Sequence, residues 1–194
     1  MSVFIYCAMP EEAERVHSAL KDWYESYYIV SVPGIGMLST LNNLWAHSAY
    51  KYDYILNVGF VGAVSSRFKI GSTLLISEFK HFIQDYVKIP NYNPEYTTNT
   101  TGYVLSSCDT FASKSQLTTL QECCDVVDME AYAIAMFCRN FRKKFMCVKQ
   151  VSDILTQEDH GYSSFEDQIK DLDFSWFPEY MDQLYFKAKI PQVL

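Results

Sequence analysis

The sequence has no apolar run approaching the ~20 residues of a membrane-spanning helix, so no membrane partner is expected. It has no basic block either. Sixteen Lys and Arg are scattered among 23 Asp and Glu, for a net charge of −7, which argues against a nucleic-acid partner. None of the cysteines (Cys7, Cys108, Cys123, Cys124, Cys138, Cys147) forms a C-x-x-C pair, and the four histidines show no metal-ligand spacing. No metal or other cofactor is expected, and the thiols read as core residues of a reducing cytoplasm. The first residues, Met1-Ser2-Val3-Phe4-Ile5-Tyr6, lack a basic region before the apolar stretch, so no signal peptide is expected. The sequon Asn99-Thr100-Thr101 then carries no glycan. There is no internal repeat, low-complexity tract or domain linker.

What remains is a globular composition, 49% hydrophobic and 16% aromatic, in 194 residues. That is enough for one domain, residues 1–194, with a full core. Short apolar runs alternate with amphipathic stretches, which indicates α/β architecture. Strands are predicted at Val3–Ala8, Tyr27–Val32, Asp53–Val58, Gly71–Ser77, Gly102–Ser106, Val126–Asp128 and Phe145–Val151. Helices are predicted from Pro10 to about Lys21, from Met37 to Tyr50, around Gln116–Gln121, and from Ala131 to about Arg142. A last long helix, Ser163 to Lys187, is interrupted near Pro178. Residues 80–102, polar and rich in Tyr, Asn, Thr and Pro, read as a long irregular loop of the kind that often binds or covers a ligand.

The chain is organised around Val126-Val127-Asp128-Met129-Glu130-Ala131. An apolar run ends in carboxylates and a helix starts at once. The next strand ends in Ser152-Asp153. In open α/β sheets small molecules bind at that edge, and a carboxylate there is either a helix N-cap or a catalytic group. Glu is a poor N-cap, so Glu130 is the harder one to explain structurally. Glu11 and Glu12 follow Pro10 in a first helical turn, where acidic residues also suit the dipole. Gly34-Ile35-Gly36 joins a strand to a helix, but a third glycine is missing at Thr40, which excludes a full dinucleotide fingerprint. Gly59-Phe60-Val61-Gly62-Ala63 reads as a second glycine-bearing loop after a strand.

Six pieces of the chain, in order, resemble the purine nucleoside phosphorylase/nucleosidase superfamily, and within it the methylthioadenosine/S-adenosylhomocysteine nucleosidases. Ala8-Met9-Pro10-Glu11-Glu12 resembles that branch's Ala-Met-Glu-Glu-Glu. Gly34-Ile35-Gly36 matches Gly-Ile-Gly, and Asn57 to Ala63 resembles Asn-Thr-Gly-Ser-Ala-Gly-Gly. Ser107-Cys108-Asp109-Thr110-Phe111 resembles Ser-Gly-Asp-x-Phe. Asp128-Met129-Glu130-Ala131 stands for Glu-Met-Glu-Ala, and Ser152-Asp153 for Ser-Asp. The resemblance implies one domain with a mixed, twisted central β-sheet flanked by helices.

It also implies a nucleoside substrate, water as co-substrate, no cofactor, and a cytoplasmic homodimer. Cleaving an N-glycosidic bond leaves an oxocarbenium-like sugar and a departing base that needs a proton. By resemblance Asp153 is the acid that serves purine N7, beside Ser152. Glu12 is the base that activates water, and Glu130 holds the ribose hydroxyls and stabilises the cation. Met129 packs on the ribose. Phe111 stacks on the base while Ala112 reads its edge. Met9, Ile35, Phe60 and Asp128 complete the substrate contacts. Lys149 takes the place of an Arg near the water and Glu12. Glu11 and Glu12 in one loop, and Asn57 rather than Arg at the start of the next, favour hydrolysis over phosphorolysis. Arg67 is the nearest basic residue.

Three departures bear on substrate. Phe60 replaces a small hydroxyl residue and alters or narrows the ribose side. The segment Asp22–Val32 lacks a hairpin, and residues 90–102 lack a helix, relative to the branch. These features motivate the first of two alternatives. It is a nucleosidase for a modified purine, a queuosine-type 7-deazapurine or a futalosine nucleoside. The other is a non-catalytic nucleoside-binding protein.

Overall fold

A computed structural model describes residues 2–22, 28–32, 34–82, 95–97, 102–155 and 162–182. β1 (Val3–Tyr6) is buried on both faces, as its uninterrupted apolar run requires, and pairs in parallel with β2 (Tyr28–Ser31) and β3 (Tyr54–Ala63). β3 runs parallel to β8 (Lys144–Ile154) along its whole length and meets β7 (Val126–Asp128) antiparallel at its far end. β7 pairs with β6 (Tyr103–Cys108), β6 with β4 (Thr73–Phe82), and β4 returns to β8. The mixed sheet therefore closes a ring through β3, β7, β6, β4 and β8. β1 and β2 extend it on one side and β5 (Glu95–Thr97), antiparallel to β4, on the other. This is the expected mixed α/β sheet flanked by helices.

The alternation of β1 separates two cores. Phe4 and Tyr6 join Leu44 of α2 (Met37–Ala46) and the apolar face of α4 (Ala131–Asn140). Val3 and Ile5 join Val16 of α1 (Pro10–Ala19) and Ile169 of α5 (Tyr162–Ile169), with Phe174 and Phe177 beyond it. A 3-10 turn at Lys114–Gln116 leads into α3 (Leu117–Cys123). No described helix is long and apolar enough to cross a membrane.

Four expectations are corrected. Gly59 to Ala63 is not a loop but the second half of β3, because β8 satisfies its backbone as far as the Ala63–Ile154 register. Asn57 accordingly lies buried inside that strand, where its amide donates to the Tyr6 carbonyl. The helix from Met37 stops at Ala46 rather than Tyr50: the His47 backbone and ring nitrogens both lie on the Asn43 carbonyl, closing the turn. The last helix breaks after Ile169, before Pro178. Asp173 accepts bonds from the Ser175 backbone and hydroxyl, a local turn that competes with the helix, and helix resumes over 177–182. Within 80–102, β4 takes 80–82 and β5 takes 95–97; most of the remainder lies outside the described residues, as does the polar stretch 156–161.

Candidate active site

β8 is one residue out of step with β3 beyond Val61: Val61 faces Val151, but Gly62 faces Asp153. The extra residue is Ser152, whose hydroxyl lies 3.1 Å from the Val61 carbonyl and 2.6 Å from Asp153 Oδ1. A bulge re-aims the side chain that follows it. Here it turns Asp153 towards a cavity of about 230 Å³ at the ends of β1, β3, β6, β7 and β8. Gly62 gives the carboxylate room, since a Cβ there would lie 3.2 Å from Asp153 Oδ2.

Glu12 enters from α1. Only 3% exposed, it accepts bonds from the backbone N–H of Ala8 (2.7 Å) and Met9 (3.1 Å) at Oε2 and of Phe60 (2.8 Å) at Oε1. Burial raises its pKa, against the opposing pull of Lys149 and the three N–H groups. Gly59 is required beside it: a Cβ would stand 2.3 Å from Glu12 Oε1.

Glu130 occupies the N-cap position of α4 without capping it. Its Oε1 accepts the Gly36 N–H at 2.7 Å, so the Gly-Ile-Gly turn exists to bring a backbone donor to this carboxylate. Gly36 has φ 100°, which glycine alone adopts freely. Burial, then the charge of Asp128, pushes the Glu130 pKa up to about 8. The capping falls to Asp128. It accepts from the N–H groups of Glu130 and Ala131 and from the Ser107 hydroxyl at 2.6 Å, and it pairs with Lys149 at 3.0 Å. Asp128 thus borders the cavity with its oxygens engaged by protein.

The cavity is lined by Met9, Ile35, Phe60, Phe111, Ala112, Met129 and Ser152, as well as Glu12, Asp128, Glu130 and Asp153. Lys149 is not among them. Expected near the water and Glu12, it lies 2% exposed behind the wall with its ammonium on Asp128, and from there its charge still acts on Glu12. Arg67 is also elsewhere, paired with Asp125 and lying over the Phe68 ring. The lining residues not anticipated include Thr110, Ile70, Leu155, and Phe165 and Gln168 of α5. Thr110 belongs to the Ser107–Phe111 motif. For α5 only the spacing of Phe165 and Gln168 was visible, and spacing does not reveal which part of the fold a helix face meets.

The ring of strands with a carboxylate-rich cavity at its edge defines an α/β fold of the nucleoside phosphorylase-like class. Residues 109–173 match the family model described as Phosphorylase superfamily. The 5′-methylthioadenosine/S-adenosylhomocysteine nucleosidase of Buchnera aphidicola is 25% identical over 175 residues, covering 75% of this chain and 72% of that protein. A Helicobacter pylori nucleosidase of that type, a mutant with 5′-methylthioadenosine in its active site, superposes with a TM-score of 0.78 at 16% identity over 96% of this chain and 98% of its own. The futalosine hydrolase of the same organism superposes with a TM-score of 0.80 at 16% identity, over 96% and 99%. The resemblance carried by the six motifs therefore stands, and the fold is that of these proteins.

Proposed function

We propose that this protein is a nucleosidase that hydrolyses the N-glycosidic bond of a purine nucleoside, with an adenine nucleoside such as methylthioadenosine or S-adenosylhomocysteine as substrate. The observation that carries this reading is the convergence of Glu12, Glu130 and Asp153 on one cavity. Structure alone does not call for three carboxylates there.

In the proposed reaction Asp153 protonates N7 of the base, and the C1′–N9 electrons leave with it. Glu130 holds the ribose hydroxyls. Glu12 takes a proton from water as the water oxygen bonds to C1′, giving free base and free sugar. Among the described lining residues there is no Lys, Arg or His, which leaves phosphate without a counter-charge and supports hydrolysis over phosphorolysis.

A futalosine nucleoside is the second reading. It is motivated by Phe60 at the ribose side and by the likeness to a futalosine hydrolase. We place the protein in the cytoplasm, a reading supported by six free thiols, most of them buried. We also propose a homodimer through the exposed apolar side chains Leu38 and Trp45 of α2 and Phe141 after α4. Light scattering of the wild type and of Trp45→Lys tests it, a wild-type monomer removing the proposal.

The test of function is release of free base from methylthioadenosine, S-adenosylhomocysteine, adenosine, inosine, futalosine and queuosine, with and without phosphate. Phosphate-independent adenine release upholds the first reading. Release of another base replaces the substrate, and a strict phosphate requirement overturns hydrolysis.

A further inference from the structure

α1 carries two long side chains with different destinations. Glu12 on its first turn borders the cavity; Arg15, three residues on, reaches across to the end of α5. The Arg15 guanidinium donates from Nε to the Leu172 carbonyl, from Nη2 to the Ile169 carbonyl and from Nη1 to the Glu11 carbonyl, each at 2.8 Å. Carbonyls at a helix C-terminus lack partners within the helix, and a cation there also suits the dipole. Five N–H groups in a rigid fork let one arginine join both chain segments.

The same guanidinium lies over the Phe60 ring, 5.4 Å from its centroid, and that ring meets Phe165 of α5 at 6.3 Å. Phe165 and Gln168, three residues apart and so on one helix face, line the cavity, whereas Arg15 does not. The Phe60 N–H holds Glu12, so the α5 wall and the carboxylate of α1 are joined through Arg15 and Phe60.

The geometry points to Arg15 as a positioning residue that clamps α5 to the Glu12 helix and so holds Phe165 and Gln168 in place as the cavity wall that captures the substrate. What that wall contacts rests on the nucleosidase reading; the clamp itself does not. Neither Phe nor Gln exchanges a proton with the substrate. Loosening the wall therefore weakens capture more than bond cleavage, a split visible in KM against kcat.

Arg15→Ala removes all three bonds, and Arg15→Lys keeps the charge without the fork. With methylthioadenosine as probe, KM should rise tenfold or more in Arg15→Ala with kcat within threefold, and Arg15→Lys should fall between. Adding Phe165→Ala to Arg15→Ala should cost no more than the worse single change, because both act through one wall. Amide exchange in the free protein should quicken over 162–169 and stay unchanged in β3 and β8. Unchanged KM, additive losses, or exchange that quickens equally across β3 and β8 would overturn the clamp. If the wild type leaves methylthioadenosine intact, that substrate reading fails by itself. Exchange then decides alone: acceleration confined to 162–169 upholds the clamp, and no acceleration there removes it.

Discussion

Lys149 Nζ lies 3.0 Å from Asp128 Oδ2, and both side chains are 2% exposed. β8 sets Lys149 against Gly59 of β3 and Leu74 of β4, beneath the cavity rather than in it. Burial by itself would lower the lysine pKa. The negative charge around it, Asp128 foremost, outweighs burial and holds the ammonium well above its usual range. One cation thus neutralises Asp128 and also pulls on Glu12 and Glu130, though not enough to undo the effect of their burial.

Removing that cation should be costly. Lys149→Met leaves Asp128 buried without its counter-charge, and breaking a buried pair in this way costs about 3–5 kcal/mol. Urea denaturation measures it. A loss below about 1 kcal/mol would show that the pair does not support the fold.

The raised pKa of Glu130 has a stability consequence. The folded protein holds this proton up to about pH 8, whereas an unperturbed Glu releases it near 4.5. Stability from Glu130 is therefore complete below the unfolded value and is lost as pH rises towards the folded one. The urea midpoint of the wild type should fall between pH 5 and pH 8, and that of Glu130→Gln should fall less. Equal slopes in the two proteins would show that Glu130 titrates normally. Glu12, also raised by burial, adds to the slope in the same direction.

Gly59→Ala should damage the site without a change at any reacting group. The new Cβ would collide with Glu12 Oε1, which three backbone N–H groups hold in place. A displacement of this size near a catalytic group costs on the order of 100-fold in rate. Near-normal kcat in a folded Gly59→Ala protein would remove Glu12 from the mechanism.

Asp153→Asn and Glu12→Gln should separate the two carboxylates. Asn retains an oxygen for the Ser152 hydroxyl, so Asp153→Asn should change stability by less than about 1 kcal/mol while base release falls by about 100-fold or more. Substantial turnover in this variant would reject Asp153 as the acid. Glu12→Gln turns an amide donor towards backbone N–H donors and should lose about 1–3 kcal/mol of stability along with hydrolysis. Nucleoside binding should survive; its loss would make Glu12 a substrate ligand instead.

Much of this was legible in the chain because it depends on local order. The apolar runs at Val3, Tyr54 and Phe145 mark central strands. The motifs at Met9, Ile35, Phe111, Met129 and Ser152 each supply residues that border the cavity. The glycines were legible as special but not as to why. Gly59 and Gly62 look like turn residues, and in the fold they are strand residues that make room for Glu12 and Asp153.

By itself, then, the sequence determined the α/β class, the order of the strands along the chain, and which carboxylates stand at strand ends, since periodicity and motif order are properties of neighbouring residues. Only the tertiary structure decided that β8 lies between β3 and β4, that its bulge turns Asp153 inward, that Asp128 rather than Glu130 caps α4, and that Lys149 is sealed behind the wall. It also decided that Arg15 meets α5, 154 residues further on. Those outcomes depend on pairings between distant segments and on which charge finds which partner out of water, and local pattern carries no record of either.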